Sequence, residues 1–513
     1  IDVGGTNTDA VLLDGTRVLA GVKQPTSPDV TFGILAALRE LGEKHPFETD
    51  QVSAVMIGTT HFINALVEAK RLAPTAALRL GLPATASLPP LVGWPRPLVE
   101  AISGRPYLAH GGHEFDGRHI AELDASQIRR HAADMAAHGV RSVAISSVFS
   151  PINVEFETQA AEIVAAELGP AVAISLSHEI GRIGLLEREN ATIVNAALRE
   201  LAAQITAALT GAVRDFGIGA PLYLSQNDGT LMDVDFARQY PVATFASGPT
   251  NSMRGAATLS GLGNCAVIDI GGTTTDIGVL NKGFPREATG EVTVAGVRTN
   301  FRMPDVLSIG LGGGSHVEGE GTKVGPSSVG YGLTTRALVF GGKDLTATDV
   351  AVAAGYADIG DSSLVSSLDP AVARRALDTI ARDVSEAVER MRISAEPLPV
   401  VAVGGGSILL PERLPGLGEV HRPEHFSVAN AIGAAIAQVS GEVDRVYAIP
   451  DGARESIVEG AKAEAIDKAI AAGANPRDVH VVDFDEVPLP YVPGNATRIR
   501  IKAVGELVLE NSR

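Results

Sequence analysis

One phrase occurs twice in this chain: Ile1-Asp2-Val3-Gly4-Gly5-Thr6-Asn7-Thr8-Asp9 returns as Ile268-Asp269-Ile270-Gly271-Gly272-Thr273-Thr274-Thr275-Asp276. Asp, Gly, Gly, Thr, Thr and Asp recur in register, which unrelated turns rarely achieve. Each copy leads into an apolar stretch, Ala10 to Leu13 and Ile277 to Leu280, so each is expected to form a β-hairpin with the Gly-Gly pair at its turn. Glycines let a backbone approach a phosphate closely. Neighbouring N–H groups and Thr hydroxyls supply donors, and an Asp beside the turn can hold a hydrated divalent cation. A duplicated phosphate hairpin implies a duplicated fold, with two hairpins gripping one nucleotide across a cleft.

Two further segments fit that plan. Val400-Val401-Ala402-Val403-Gly404-Gly405-Gly406-Ser407 reads as a buried strand running into a glycine turn, and Ser427-Val428-Ala429-Asn430-Ala431-Ile432-Gly433-Ala434-Ala435 reads as a helix of small residues. In this order the four segments resemble the actin, hexokinase and Hsp70 superfamily. The resemblance implies an α/β fold of two ribonuclease-H-like lobes closing over ATP. It places adenosine beside Gly404, Gly405 and Gly406 and makes the small-residue helix a connector of the lobes.

A narrower resemblance follows from Gly58-Thr59-Thr60-His61-Phe62-Ile63-Asn64-Ala65, Arg79-Leu80-Gly81, Arg188-Glu189-Asn190-Ala191-Thr192-Ile193-Val194-Asn195-Ala196 and Ala246-Ser247-Gly248-Pro249. These are similar to the hydantoinase A/5-oxoprolinase family, and the likeness runs from Ile1 to about Gln438. It implies an ATP-dependent hydrolase subunit that activates a cyclic amide such as a hydantoin, 5-oxoproline or a related lactam, commonly with a second subunit and as an oligomer. The alternatives are a small-molecule kinase, a carboxylase subunit of the same superfamily, or a nucleotide-driven conformational switch. The segment from Ser440 to Arg513 is shorter than in typical members.

The resemblance also assigns residues. Asp2 and Asp269 would hold Mg²⁺, with Asp276 as a third catalytic carboxylate; Gly4, Gly5, Thr6, Asn7, Thr8, Gly271, Gly272, Thr273, Thr274 and Thr275 would hold the phosphates. Gly312, Gly313 and Gly314, from Gly310-Leu311-Gly312-Gly313-Gly314-Ser315-His316, would line the nucleotide cleft. Thr59, Thr60, Asn64 and Asn195 are uncharged hydrogen-bonders suited to a neutral amide. A kinase would instead want a carboxylate base, for which Asp9, Asp228 and Asp276 are candidates. No G-x-x-x-x-G-K-[ST], no G-x-G-x-x-G and no G-x-S-x-G occurs, so a P-loop, a dinucleotide fold and an acyl-enzyme elbow are not supported.

Composition narrows the class. With 42 basic against 60 acidic residues the net charge is −18, which argues against nucleic acid and anionic membranes as partners. The single cysteine, Cys265, cannot make an internal disulfide or a thiolate metal cluster and reads as a small buried residue. No charge-free apolar run of about eighteen residues and no signal-peptide pattern is present, so a cytoplasmic location is expected; the chain opens on Ile1 rather than Met, which leaves room for a short leader.

The resemblance implies three parts: residues 1–175, an N-terminal lobe; 176–440, an ATPase lobe; and 441–513, a small αβ appendage expected either to take part in assembly or to pack back on its own ATPase lobe. Ser27-Pro28 should start a helix with Phe32, Leu35, Leu38 and Leu41 on its apolar face. Gln51 to Ile57, Val143 to Phe149, Val479 to Val482 and Arg498 to Ile501 read as strands, the last as a half-buried edge; Glu157 to Leu168 and Ala461 to Ala472 read as helices. Asp369-Pro370 starts another, with Leu377, Ile380, Val384, Val388 and Met391 inward. The segment from Pro83 to Arg118, with the only tryptophan, Trp94, reads as a loop-rich insertion. Within it, His110-Gly111-Gly112-His113-Glu114-Phe115-Asp116 gathers two imidazoles and two carboxylates, a possible metal loop. His61 and His178 read as structural.

Overall fold

In the computed structural model, residues 1–4, 7–25, 30–394, 396–490 and 495–509 are described. Gly5, Thr6, Ser27 and Pro28 lie outside them. Both repeats form the expected hairpin. β1 (Asp2–Val3) pairs with β2 (Asn7–Asp14), Asp2 opposite Asp9; β3 (Arg17–Pro25) extends the pair. After α1 (Val30–Lys44), β4 (Val55–Thr59) joins β1 in parallel and leads into α2 (His61–Val67). The inward face of α1 is Ile34, Ala37, Leu38 and Leu41, whereas Phe32 is 63% exposed. The expected stripe began one turn too early.

The next stretch forms a separate, wholly parallel sheet: β5 (Thr75–Leu82), α3 (Arg96–Ala101), β6 (Arg105–His110), α4 (Ala125–Ala137), β7 (Ser142–Ser147), α5 (Glu155–Leu168) and β8 (Ala173–Leu176), in the order β6-β5-β7-β8. The supposed loop insertion therefore contributes a helix and a strand, and buried Trp94 donates its indole N–H to Asn190 Oδ1 at 2.8 Å. The short α6 (Ser177–Ile180) and the long α7 (Leu185–Asp215) return the chain to the first sheet, which gains β9 (Leu222–Ser225) and β10 (Leu231–Asp233). α8 (Val234–Gln239) and α9 (Ser247–Ser260) follow.

The second repeat rebuilds the first topology. β11 (Cys265–Ile270) pairs with β12 (Thr275–Asn281), Asp269 opposite Asp276; β13 (Phe284–Pro285) adds to β12. Beyond the small pair β14 (Val292–Val294) and β15 (Val297–Thr299), β16 (Val306–Ile309) also joins β12. The hairpin β17 (Ser315–Glu318) and β18 (Lys323–Ser328), then α10 (Leu333–Arg336), α11 (Ala347–Ala353) and α12 (Pro370–Met391), lead to β19 (Val400–Val403), parallel to β11. Asp369 caps α12, and the whole predicted stripe from Leu377 to Met391 is buried. β20 (Arg413–Leu414) and β21 (Gly418–His421) finish this sheet, and α13 (Ala429–Ala434) is the small-residue helix. Each lobe thus runs edge strand, hairpin, parallel strand.

The boundaries expected at 175 and 440 do not follow the sheets. β22 (Gln438–Ala448), α14 (Arg454–Ala471), β23 (His480–Pro488) and β24 (Ala496–Glu506) continue the first lobe's sheet, ordered β23-β24-β22-β10-β9-β4-β1-β2-β3. β22, β23 and β24 are therefore built into the first lobe's sheet. β24, read as an edge, is interior between β22 and β23, because alternation shows only that one face is wetter, not that a neighbour is missing. The edge is β23, with a register shift between Val481 and Asp483 and acidic Asp483, Asp485 and Glu486, features that blunt strand addition.

α9 and α13 meet where side chains would not fit. A Cβ on Gly433 would lie 1.8 Å from Asn251 O, and one on Gly255 would lie 1.9 Å from Ala429 O. Both contacts are backbone, so rotamers cannot relieve them. Gly433→Ala is expected to force the helices apart and destabilise the protein by about 1–3 kcal/mol, read as a lowered urea midpoint; an unchanged midpoint would disprove this contact.

Candidate functional site

The two hairpin turns close alike. Gly4 N–H donates to Asn7 O (3.0 Å) and Gly271 N–H to Thr274 O (2.9 Å). Gly272 and Thr273 N–H groups have no acceptor among the described residues, as an anion-binding turn requires. Thr274 is exposed and Thr273 half-buried, whereas Thr275 Oγ1 donates to Leu311 O at 2.7 Å and holds the turn. Thr8 is buried and Asn7 half-buried at the mouth of the first hairpin.

Each motif aspartate sits over a glycine of the neighbouring parallel strand. A Cβ on Gly58 would lie 2.2 Å from Asp2 Oδ1, and one on Gly404 would lie 2.2 Å from Asp269 Oδ1. Gly404, with φ +81°, can turn the chain there, while Gly405 is exposed and Gly406 packs on Ile270 and Gly271. The helices α9 and α13 supply donors that sequence reasoning missed. Asn251 Nδ2 bonds Asp2 Oδ1 (3.1 Å), and Asn430 Nδ2 bonds both Asp2 Oδ2 (2.9 Å) and Asp9 Oδ2 (2.7 Å). Ser252 bonds Asp269. A polar residue amid small ones in each connecting segment was the available signal.

Lys23 Nζ bonds Asp9 Oδ2 at 2.7 Å and also acts on Asp269, as does Asp2, so the hairpin aspartates share one electrostatic site between the lobes. Asp276 accepts from the Ser308 hydroxyl. Burial pushes the Asp2 and Asp276 carboxyls up, and burial reinforced by Asp276 and Asp2 pushes Asp269 to about 6, against Ser252 and Lys23. Four carboxylates against one ammonium make a donor set that fits a divalent cation.

A pH dependence follows. Asp269 is ordinarily ionised above 3.8, so between 3.8 and about 6 the folded apo-protein binds more protons than the unfolded chain. Stability from this group is therefore lost as pH rises through that window, by on the order of 3 kcal/mol. A cation held by Asp269 would offset that penalty. The rise in melting temperature on adding Mg·ATP is expected to be larger at pH 7 than at pH 5; an equal rise at both would contradict the assignment.

The other candidates divide. Gly312 lies against the second turn, where a Cβ would be 2.5 Å from Thr273 N; Gly313 and Gly314 N–H groups donate to Gly271 O (3.0 Å) and Gly272 O (2.7 Å). These glycines brace the hairpin turn, and the Gly313 and Gly314 N–H groups are taken by its carbonyls. Thr59 is buried, its Oγ1 2.6 Å from His61 Nδ1, and its carbonyl accepts from Ser247 Oγ. Burial lowers the His61 pKa, keeping it neutral. Thr60 accepts from exposed Asn64 at the start of α2. Asn195 does not face a cleft: it is fully buried in α7, donating to Ser175 Oγ and Gln239 O. Asp228 is unsuited as a base. Burial would raise its pKa, but Lys502 at 2.9 Å and the Thr230 bonds outweigh it and hold the carboxyl far below the usual range.

The motifs around Arg79 and Arg188 are buried joints. Arg79 donates to Glu189 Oε2 through Nε at 2.7 Å and pairs through Nη2 with Oε1; Ser146 Oγ also donates to Glu189. Arg188 donates to Ser177 Oγ and Ser147 O, and Glu157 binds Ser147 N–H, Ser177 and His178. Both sets tie the parallel sheet to α6 and α7.

Comparison with known proteins places this geometry. Residues 1–168 match the family model of the hydantoinase/oxoprolinase N-terminal region, and residues 188–391 match that of hydantoinase/oxoprolinase. The chain belongs to the hydantoinase/oxoprolinase family. It is 28% identical over 475 residues to the caprolactamase subunit alpha of Pseudomonas jessenii, covering 85% of this chain and 65% of that one. It is also 28% identical over 399 residues to the acetophenone carboxylase gamma subunit of Aromatoleum aromaticum, covering 69% and 53%. The chain thus spans between half and two thirds of these curated relatives. The ATP-dependent caprolactamase structure from Pseudomonas jessenii superposes with a TM-score of 0.78 at 19% identity, covering 99% of this chain and 87% of that one. Nucleotide-free acetone carboxylase superposes at 0.69 and 17%, covering 100% and 88%. The fold is the two-lobed actin-like ATPase fold. No helix among the described residues is long and apolar enough to cross a membrane.

Proposed function

We propose that this chain is the ATP-using subunit of an enzyme that activates a carbonyl compound, a cyclic amide by first preference, through phosphorylation of the carbonyl oxygen. The observation that carries the reading is the pair of matched aspartate hairpins, Asp2 over Gly58 and Asp269 over Gly404, sharing one buried site between the lobes. Family relatives of both kinds, a lactamase subunit and a ketone carboxylase subunit, support a common step at a carbonyl oxygen.

An amide carbon is a poor electrophile because nitrogen donation places charge on oxygen. Mg·ATP would supply a phosphoryl group that turns that oxygen into a leaving group. Asp2 and Asp269 would hold the cation. The N–H groups of Gly272 and Thr273, which have no acceptor among the described residues, would orient phosphate oxygens with the Thr273 and Thr274 hydroxyls; Gly404, Gly405 and Gly406 would border adenosine. Such transfer depends on positioning and charge neutralisation, which these residues provide without a nucleophile of their own. Closure of the lobes about α9 and α13 would exclude water. Hydrolysis of the activated amide, or carboxylation of an activated ketone, falls to a second subunit.

The test is ADP release by the assembled enzyme against lactams, hydantoins and 5-oxoproline, and against ketones with bicarbonate. Release stimulated by a carbonyl compound, with opened or carboxylated product appearing only when the second subunit is present, is expected. A stable phosphate ester of an alcohol, or full turnover by this chain alone, would overturn the reading.

A further inference from the structure

Away from the cleft, the loop after β6 builds a second cluster. Gly111 and Gly112 have φ of 140° and 89°, and Cβ atoms there would crowd Leu80, Val148, Leu123 and Phe156. Glycine lets the chain leave the strand and turn directly inward. His113 follows with no exposed surface, its N–H donating to Val148 O at 3.1 Å. A tight turn, closed by Glu114 N–H to Arg118 O at 2.7 Å, makes His113 and His119 antiparallel bridge partners. Their ring centroids lie 5.2 Å apart, and Phe156 packs on both at 4.4 and 4.6 Å.

Glu155, the first residue of α5, completes the group. One ligand atom each from His113, His119 and Glu155 all lie within 4.8 Å of one another. Neither ring nitrogen of buried His113 has a hydrogen-bond partner among the described residues. Buried polar atoms are nearly always satisfied, so this imidazole lacks something. The neighbours are arranged as they are around metals. His119 Nδ1 lies 3.1 Å from Glu122 Oε1, which leaves the Nε2 lone pair available, and Gln159 Nε2 donates to Glu155 Oε1 at 3.0 Å, which leaves the other oxygen. The cluster sits at the carboxyl ends of β6 and β7 in a parallel sheet, where ligands of such sheets bind.

We propose that His113, His119 and Glu155 bind a divalent transition-metal ion of the zinc class, leaving a coordination position open. Two imidazoles and a carboxylate suit zinc and disfavour magnesium, which prefers an all-oxygen shell. The loop named from sequence contributes only His113. His110 turns to Gln127 Oε1 at 3.0 Å, and Asp116 pairs with Arg118 at 2.7 Å. This site is independent of the nucleotide cleft and of the proposed reaction.

The experiment uses untagged full chain stripped with a chelator and dialysed against zinc, read by elemental analysis, and against Co²⁺, read by visible d–d absorption. About one metal per chain is expected, with a zinc-dependent rise in melting temperature. His119→Ala and Glu155→Gln, both at exposed positions, should bind at least about 100-fold more weakly while melting like the wild type in chelator, and Glu122→Gln about 10- to 100-fold more weakly. His110→Ala should bind normally. A wild-type chain that retains no zinc or cobalt, or Glu155→Gln and His119→Ala proteins with unchanged affinity and cobalt spectrum, would overturn the proposal, and the orphaned His113 would then be satisfied by ordered water alone.

Discussion

Under the proposed function, Asp269→Asn is expected to lower ATP-dependent turnover by about two to three orders of magnitude while raising the melting temperature of the nucleotide-free protein. The two effects have opposite signs for one reason. Asp269 is half-buried near the end of β11, and desolvation of its carboxyl, reinforced by Asp276 and Asp2, pushes its pKa to about 6. Ionising it at neutral pH works against the fold, a cost that the proposed cation would offset. The amide is nearly isosteric, keeps the Ser252 neighbour and does not disturb Gly404. Phosphate release and a thermal melt on the same preparation settle the matter. A residue needed only for structure would lose stability along with activity, and unchanged turnover would remove Asp269 from the cation site.

Glu189→Ala is expected to destabilise the protein by about 3–5 kcal/mol. The fully buried Arg79 guanidinium would keep only the Leu88 carbonyl as a partner, a charge left in the interior without its counter-ion. Replacing both partners, Arg79→Met with Glu189→Leu, should restore much of the loss because no buried charge then remains. Urea unfolding of the two variants compares them directly. A double variant as unstable as the single one would show that the joint acts through shape rather than charge. Limited proteolysis should cut first between residues 75 and 176, since this pair fastens that sheet to α7.

How much of this was written in the order of residues depends on the range of the interaction. The hairpins were legible because Gly-Gly turns and their flanking apolar runs are local, and the α12 stripe because a buried face repeats every turn. Position within a sheet was not legible. β24 alternates as an edge strand would, yet it is flanked on both sides, and β9 and β10 are too short to declare a partner. The glycines at 312–314 were read as lining the nucleotide cleft, and glycine marks close approach without saying to what; Gly312 and Gly314 lie close against the second hairpin turn. Arg79, Glu189 and Asn195 stood in recognisable motifs, but their roles depend on partners 110 residues away for the ion pair and 20 and 44 residues away for Asn195. The Asn430 contacts lay in the segment read as a connector, and Asn251 and Lys23 in segments given no role, where a lone polar side chain carries little weight until its neighbours are known.

The order of strands in the first sheet bears on how the molecule comes into being. Asp2 is held by Asn430 across 428 residues of chain, and the sheet that carries the first hairpin is completed only by strands lying beyond it. The hairpin finds β3 and β4 early, but β10, at the other side of that sheet, has no neighbour for its free edge until β22 is made. The second lobe's sheet draws on residues 265–421 and can close sooner. Such distant pairing slows folding and leaves strand edges uncovered meanwhile. Removing β22 to β24 would therefore expose the β10 edge rather than the hairpin, and aggregation through that edge is the expected result.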